Sequence, residues 1–195
     1  MSNLDRFTEL LGDGYPIELA VRLFRHWELL CKWNQKLNLT TIVSLEDAVR
    51  RHYVESLFLS SRLPPGPASL LDIGSGPGFP GVPIAASRPD IQVTLAESSQ
   101  KKVVFLKEAT RDLANVKVEA SRAEQMQGGF DWVTLRAVRW EDSFARLGRR
   151  FALLVGEDDA PRITRRPDIL WDAPLNLPGT LRGLLLLGEH VPRGT

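Results

Sequence analysis

Between Leu70 and Ala85 the chain reads LLDIGSGPGFPGVPIA. An apolar run ends in an acid, Asp72, and passes into Gly74, Gly76 and Gly78 before apolar residues resume. Glycine serves where φ is positive or where a side chain would block a ligand. The dinucleotide fingerprint is G-x-G-x-x-G, but the spacing here is G-x-G-x-G, and Phe79 stands where the third glycine would be. Pro80 then falls near the expected helix start and removes one N–H from any pyrophosphate site. The loop therefore fits a ligand that passes close to backbone and carries no phosphate. S-adenosylmethionine meets that description. Taken alone, a structural turn is the alternative.

Glu97 follows Gly78 by 19 positions, at the end of a second apolar run. That spacing lets an acid reach a ribose, and one carboxylate can accept from both hydroxyls. Ala123 and Glu124 lie where a loop after the third strand would meet an adenine ring. The alternatives are a surface acid capping the next helix and an ordinary connecting loop.

If the ligand is a methyl donor, the acceptor can be narrowed. Methylation of an exocyclic base amine commonly uses an [N/D]-P-P-[Y/F] loop after the fourth strand, where this chain reads TLRAVRW. Methylation of a pyrimidine ring carbon needs a cysteine nucleophile. The single cysteine, Cys31, sits among apolar residues of an N-terminal helix and reads as core. An acceptor with a ready lone pair remains. A purine ring nitrogen such as guanine N7 qualifies, since alignment and exclusion of water suffice.

These residues need elements to hold them. From Pro16 to about Leu37, Ile17, Ala20, Val21, Phe24, Trp27 and Cys31 recur at helical spacing and predict one apolar face. Residues 44–63 predict a second helix with Ser44 as N-cap. PPGP at 64–67 breaks the chain. Strands are then expected at SLLDI, IQVTLAE, VKVEA, DWVTLRA and FALLVG, with helices at SQKKVVFLKEATRDLA and WEDSFARLGRR. Such alternation implies a parallel sheet covered on both faces. DILWDAP and GLLLLGEHV are expected to close it as an antiparallel hairpin, and PRITRRPD reads as a loop or an irregular helix.

The composition sets bounds. The 195 residues suit one domain, with 43% hydrophobic and 25% charged residues. A net charge of +1 argues against a protein held to nucleic acid by overall charge. No apolar run is long enough to span a membrane, the first residues hold no signal core, and one cysteine permits no internal disulfide. A cytoplasmic location is expected. The three histidines lie far apart in sequence, so no metal site is expected.

WNQKLNLTTI, RHYVESL, LLDIGSGPGFPGVPIA, ESSQKKVVFLKE, SRAEQ and LRAV occur in the order seen in the RsmG (GidB) family, which the chain resembles over roughly residues 15–155. Those proteins are bacterial methyltransferases that modify guanine N7 in 16S ribosomal RNA. The resemblance implies a class I (Rossmann-like) α/β methyltransferase with a seven-stranded, mostly parallel sheet. It implies one domain, with residues 1–63 as a helical cap and 68–195 as the methyltransferase core, acting as a monomer. The cofactor would be S-adenosylmethionine, held by Asp72, Gly74, Gly76, Gly78, Phe79, Glu97, Ala123, Glu124 and Arg136. Arg136 would also serve in catalysis, facing a carboxylate or phosphate. A salt bridge to a surface acid is the alternative for this arginine.

Two departures from the family pattern stand out. Val155 occupies a position where a lysine is expected, and Glu55 one where aspartate is commoner. The RNA, within a small-subunit particle, would meet Asn34, Lys36, Asn38, Arg51, His52, Lys101 and Arg139. Other cationic candidates are Arg22, Arg25, Lys32, Arg50 and Lys102. Competing readings are a non-catalytic ribosomal-RNA-binding or assembly factor that keeps a cofactor pocket, and a small-molecule methyltransferase. A nucleotide-linked dehydrogenase is a third, against which the loop spacing argues.

Overall fold

The computed structural model describes residues 2–191. Strands β1 (Ala68–Ile73), β2 (Ile91–Ala96), β3 (Val116–Glu119), β4 (Phe130–Arg136) and β5 (Gly148–Gly156) pair in parallel in the order 3-2-1-4-5. Strand β8 (Gly183–His190) runs antiparallel beside β5, and β6 (Ile169–Trp171) pairs antiparallel with β8. Strand β7 (Leu175–Asn176) adds an eighth strand, against the expected seven, by pairing with β8 off the main path. The expected closing hairpin is present as β6 and β8.

Alternation along each strand explains the two apolar clusters. Leu70, Trp132, Ala152 and Leu154 face one side, with the N-terminal helices, α5 (Gly81–Ser87) and α6 (Gln100–Ala109). Leu71, Ile73, Val133, Leu135, Phe151 and Leu153 face the other. The second face is covered by little regular helix. Residues predicted as a helix from Trp140 to Arg150 form a 3-10 turn, Asp142–Leu147, and β5 then begins at Gly148. A Cβ at Gly148 would come within 2.6 Å of Val133 Cγ2, so only glycine lets β5 begin that close to β4. The expected irregular segment after Ala160 is one short helix, α7 (Ala160–Ile163).

The N-terminal part holds α1 (Asn3–Leu11), α2 (Ile17–Leu37), α3 (Leu45–Ala48) and α4 (Glu55–Arg62). A π-helical segment, Val49–Val54, joins α3 to α4 inside what the sequence predicts as one helix. Ser2 caps α1 in a reciprocal bond pair with Asp5. The buried face of α2 is rotated from the expected one. It carries Ala20, Leu23, His26, Trp27 and Leu30, while Ile17 is exposed and Phe24 and Cys31 are half-buried. His26 accounts for the rotation, because partners inside the protein take both of its ring nitrogens.

Candidate active site

The loop after β1 is built for left-handed backbone. Gly74, Gly76 and Gly78 have φ of 65°, 54° and 96°. A Cβ on Gly74 would meet Val138 Cγ2 at 2.6 Å, and one on Gly78 would meet Val82 Cγ2 at 2.6 Å. The loop's N–H groups are all used within the protein. Gly74 and Ser75 donate to the Ala96 carbonyl, and Gly78 and Phe79 donate to that of Ser75. Gly76 donates to Glu97 Oε2 at 3.0 Å. A phosphate would find no free donor here and a carboxylate already beside it. The loop accordingly suits a ligand without phosphate.

Glu97 is fixed from a second side by the Ser99 amide, which donates to its Oε1 at 2.8 Å. Each carboxylate oxygen accepts one of these bonds and has a further lone pair to offer, and Glu97 lines a cavity. That cavity measures about 740 Å³ and lies at the carboxyl ends of β1, β4 and β5. Gly74, Gly76, Phe79, Glu97, Arg136, Asn38, Arg51 and His52, all singled out from the sequence, line it together. Its size and depth suit a ligand as large as S-adenosylmethionine.

Other predicted residues lie elsewhere. Asp72 is fully buried beneath the loop and accepts from the Gly81 amide at 3.0 Å. A side chain at Gly78 would run into Val82 and His26, and Gly78 is not part of the cavity lining. Ala123 and Glu124 form the turn after β3, at the same sheet edge as Glu97 but outside the cavity lining. Of the two lysines, Lys102 lines the cavity and Lys101 does not. Lys36 is exposed away from it, and Arg139 lines an adjoining cavity. The Asn34 amide is spent holding both backbone groups of Thr40 at 2.9 Å.

Arg136 is the centre of a network the sequence does not reveal. It pairs with Glu55 at 3.0 Å and donates to the Arg51 carbonyl at 2.6 Å. It also donates to His52 Nδ1 at 2.8 Å. The carboxylate that Arg136 meets in the structure is a protein one, buried and from the N-terminal helices, where the alternative reading had a surface acid. Four of the five guanidinium N–H groups are engaged in this way, and Arg136 lines the cavity with one N–H of Nη1 uncommitted. Since His52 Nδ1 accepts, its Nε2 carries the hydrogen and donates to Thr40 Oγ1 at 3.2 Å.

His52 is among the residues expected to meet the RNA. In the structure it lines the cavity and stacks on Phe79, with ring centroids 4.4 Å apart. Burial, reinforced by the charges of Arg136 and Arg51, pushes its pKa down to about 3. His26 packs edge-on against the same Phe79 and donates from Nε2 to the Pro77 carbonyl at 3.0 Å. Tyr53 donates to its Nδ1 at 2.7 Å, and burial lowers His26 to about 4. Two histidines far apart in sequence therefore clamp the loop as neutral rings. Among the described residues, no three His, Cys, Asp or Glu side chains are grouped to hold a metal.

Burial raises Asp72 to about 7, and its Oδ1 has no partner. The folded state therefore holds a proton that the unfolded chain releases above about pH 4. The contribution of Asp72 to stability should therefore fall as pH rises from about 4 through about 7, then level off. Asp72→Asn lacks this group. Its stability relative to wild type should rise between about pH 4 and pH 7, by about 1 kcal/mol per unit at most. Urea unfolding at each pH measures it, and a constant difference would mean that Asp72 is charged throughout.

The chain is similar to known proteins in sequence and in fold. A family model described as rRNA small subunit methyltransferase G (GidB) matches residues 20–156. A ribosomal RNA small subunit methyltransferase G from Methylobacillus flagellatus is 40% identical over 152 residues, covering 76% of this chain and 72% of that protein. One from Stenotrophomonas maltophilia is 41% identical over 143 residues, covering 71% and 66%. The chain thus aligns with about two thirds of the length of these relatives. In fold, it resembles an S-adenosylmethionine-dependent methyltransferase from Aquifex aeolicus, with TM-score 0.62, 13% identity and coverage of 74% and 93%. It also resembles 1,6-didemethyltoxoflavin-N1-methyltransferase from Burkholderia thailandensis, solved with S-adenosylhomocysteine, with TM-score 0.60, 16% identity and 91% coverage of each chain.

Proposed function

Because this chain belongs to the GidB family, rRNA small subunit methyltransferase G, we propose that it methylates guanine N7 in 16S ribosomal RNA from S-adenosylmethionine. The observation that carries this reading is the loop whose N–H groups are spent on the protein itself, set against Glu97 on one wall of a cavity. S-adenosylmethionine, when bound, supplies a methyl group on a positively charged sulfur.

The loop backbone passes beside the cofactor without contributing a charge. Glu97 accepts from the ribose hydroxyls. Arg136 offers its remaining N–H to the carboxylate of the methionine part. The N7 lone pair forms the new bond to carbon as the carbon–sulfur bond breaks, and the guanine takes up the positive charge. No proton has to leave N7 first, so the protein needs no general base there. Its contribution is alignment and exclusion of water. Arg51 and Lys102 on the cavity wall, with Arg139 beside it, would take RNA phosphates.

We place the protein in the cytoplasm as a monomeric single domain acting on the small ribosomal subunit. Among the described residues, no helix is long and apolar enough to cross a membrane. The test is transfer of a radiolabelled methyl group to small subunits that lack 7-methylguanosine, as naked RNA and as particles. Label should appear as 7-methylguanosine and fall at least tenfold in Arg136→Ala, about the loss expected for one charged ligand contact. No label on either form, with cofactor binding intact by calorimetry, would overturn the reading.

A further inference from the structure

A second cavity of about 490 Å³ adjoins the first. The two share Ala137, Val138, Leu154, Val155 and Gly156, the ends of β4 and β5 and the turn between them and the cofactor cavity. Beyond that shared wall lie Trp140, Asp159 and Arg162. The acids on the two cavities are not equivalent. Glu55 is taken by Arg136, and Glu97 by the amides of Gly76 and Ser99. Asp159 makes no side-chain hydrogen bond among the described residues. Its cation, Arg162, is 3.9 Å away, and the Asp159 side chain is 65% exposed.

The proposed reaction constrains how its base can be recognised. N7 must face the methyl group, so that edge of the ring cannot be covered by protein donors. What distinguishes guanine on the opposite edge is a pair of adjacent donors, N1–H and the N2 amine. One carboxylate accepts both, whereas adenine and cytosine offer no such pair to it. A free carboxylate on a cavity that shares a wall with the cofactor site answers that requirement.

We propose that the second cavity receives the acceptor guanine and that Asp159 reads its Watson–Crick edge. This rests on the guanine-N7 reading above. Asp159 is then the residue that sets base specificity, and Val138 and Val155 form the apolar wall between base and cofactor. The valine that replaces the family's expected lysine would keep that wall uncharged.

The experiment uses small subunits reconstituted with either guanosine or inosine at the methylated position, because inosine lacks the N2 amine. Wild-type kcat/KM should fall about tenfold on inosine, the size of one lost base-edge contact. Asp159→Ala should lose about 10- to 100-fold on guanosine and show no further loss on inosine. Asp159→Asn, which keeps the shape, should behave likewise, and the S-adenosylmethionine Kd of both variants should stay within about twofold of wild type. If Asp159→Ala keeps the wild-type rate on guanosine, or keeps the preference for guanosine over inosine, the proposal is overturned and the N7 reading stands. If the wild type makes no 7-methylguanosine at all, both fall.

Discussion

Glu55→Ala is expected to destabilise the fold by about 3 kcal/mol and to abolish useful cofactor binding. Removing one partner of a buried pair costs about 3–5 kcal/mol, because the other charge is left without compensation. Glu55 is buried and Arg136 nearly so, with side-chain exposures of 5% and 18%. The low end applies, since water in the cavity reaches the freed guanidinium. Burial raises the Glu55 carboxyl, and Arg136 opposes that rise. Glu55→Asp keeps the charge with a side chain one methylene shorter, so most of the stability should return.

The more informative variant is Glu55→Gln with Arg136→Met. Replacing both charges by uncharged groups of similar size is often neutral for stability. The double variant should therefore unfold in urea near the wild-type midpoint. It should nevertheless bind S-adenosylmethionine at least tenfold more weakly, because the one uncommitted guanidinium N–H is gone. Wild-type affinity in the double variant would show that Arg136 serves the N-terminal packing alone.

The reach of the sequence can be judged from this network. The strands were legible because a parallel sheet buried on both faces demands apolar runs, and these are bounded by Gly, Pro and Asp. The loop was legible because three closely spaced glycines have few other uses. Glu97 was legible through its fixed distance from them. What could not be read were pairings across long stretches of chain. Glu55 and Arg136 are 81 positions apart, and His26 and Pro77 are 51 apart. A charge within a helical pattern does not announce its partner. Glu55 did carry one signal, as an acid in a largely apolar stretch, 52–60, where all the other residues are buried or half-buried. The rotation of α2 was missed for a related reason. His26 counts as polar in any periodicity, yet it is 4% exposed once Tyr53 and Pro77 satisfy its ring. The π segment escaped notice because its buried residues Val49, His52 and Tyr53 keep helical spacing, and i→i+5 bonding leaves no mark in composition.

Phe79→Ala should cost about 4 kcal/mol and change how the buried histidines titrate. Phe79 is 3% exposed and touches three rings, His52 face-on, and His26 and Tyr53 edge-on at 5.3 and 5.0 Å. A buried Phe→Ala change costs about 3–5 kcal/mol, and aromatic pairs add to the area term. The loop would lose its anchor to the N-terminal helices, and cofactor affinity should fall with it. The titration separates two causes. Burial is the larger reason His52 sits at about 3, and the charge of Arg136 is the second. Removing Phe79 opens one face of the ring to water while leaving Arg136 in place. The His52 pKa should therefore climb toward the ordinary value of about 6.5, as followed by NMR titration of the ring protons. The sign for stability follows. Below about pH 6.5 the unfolded chain binds protons that the two buried rings refuse, so these histidines make the wild type lose stability as pH falls toward 4. Phe79→Ala should show a shallower loss over that window, from a lower starting stability, and Phe79→Leu should fall between the two. A His52 that still titrates near 3 in Phe79→Ala would assign the depression to Arg136, and the ring stack would then be packing alone.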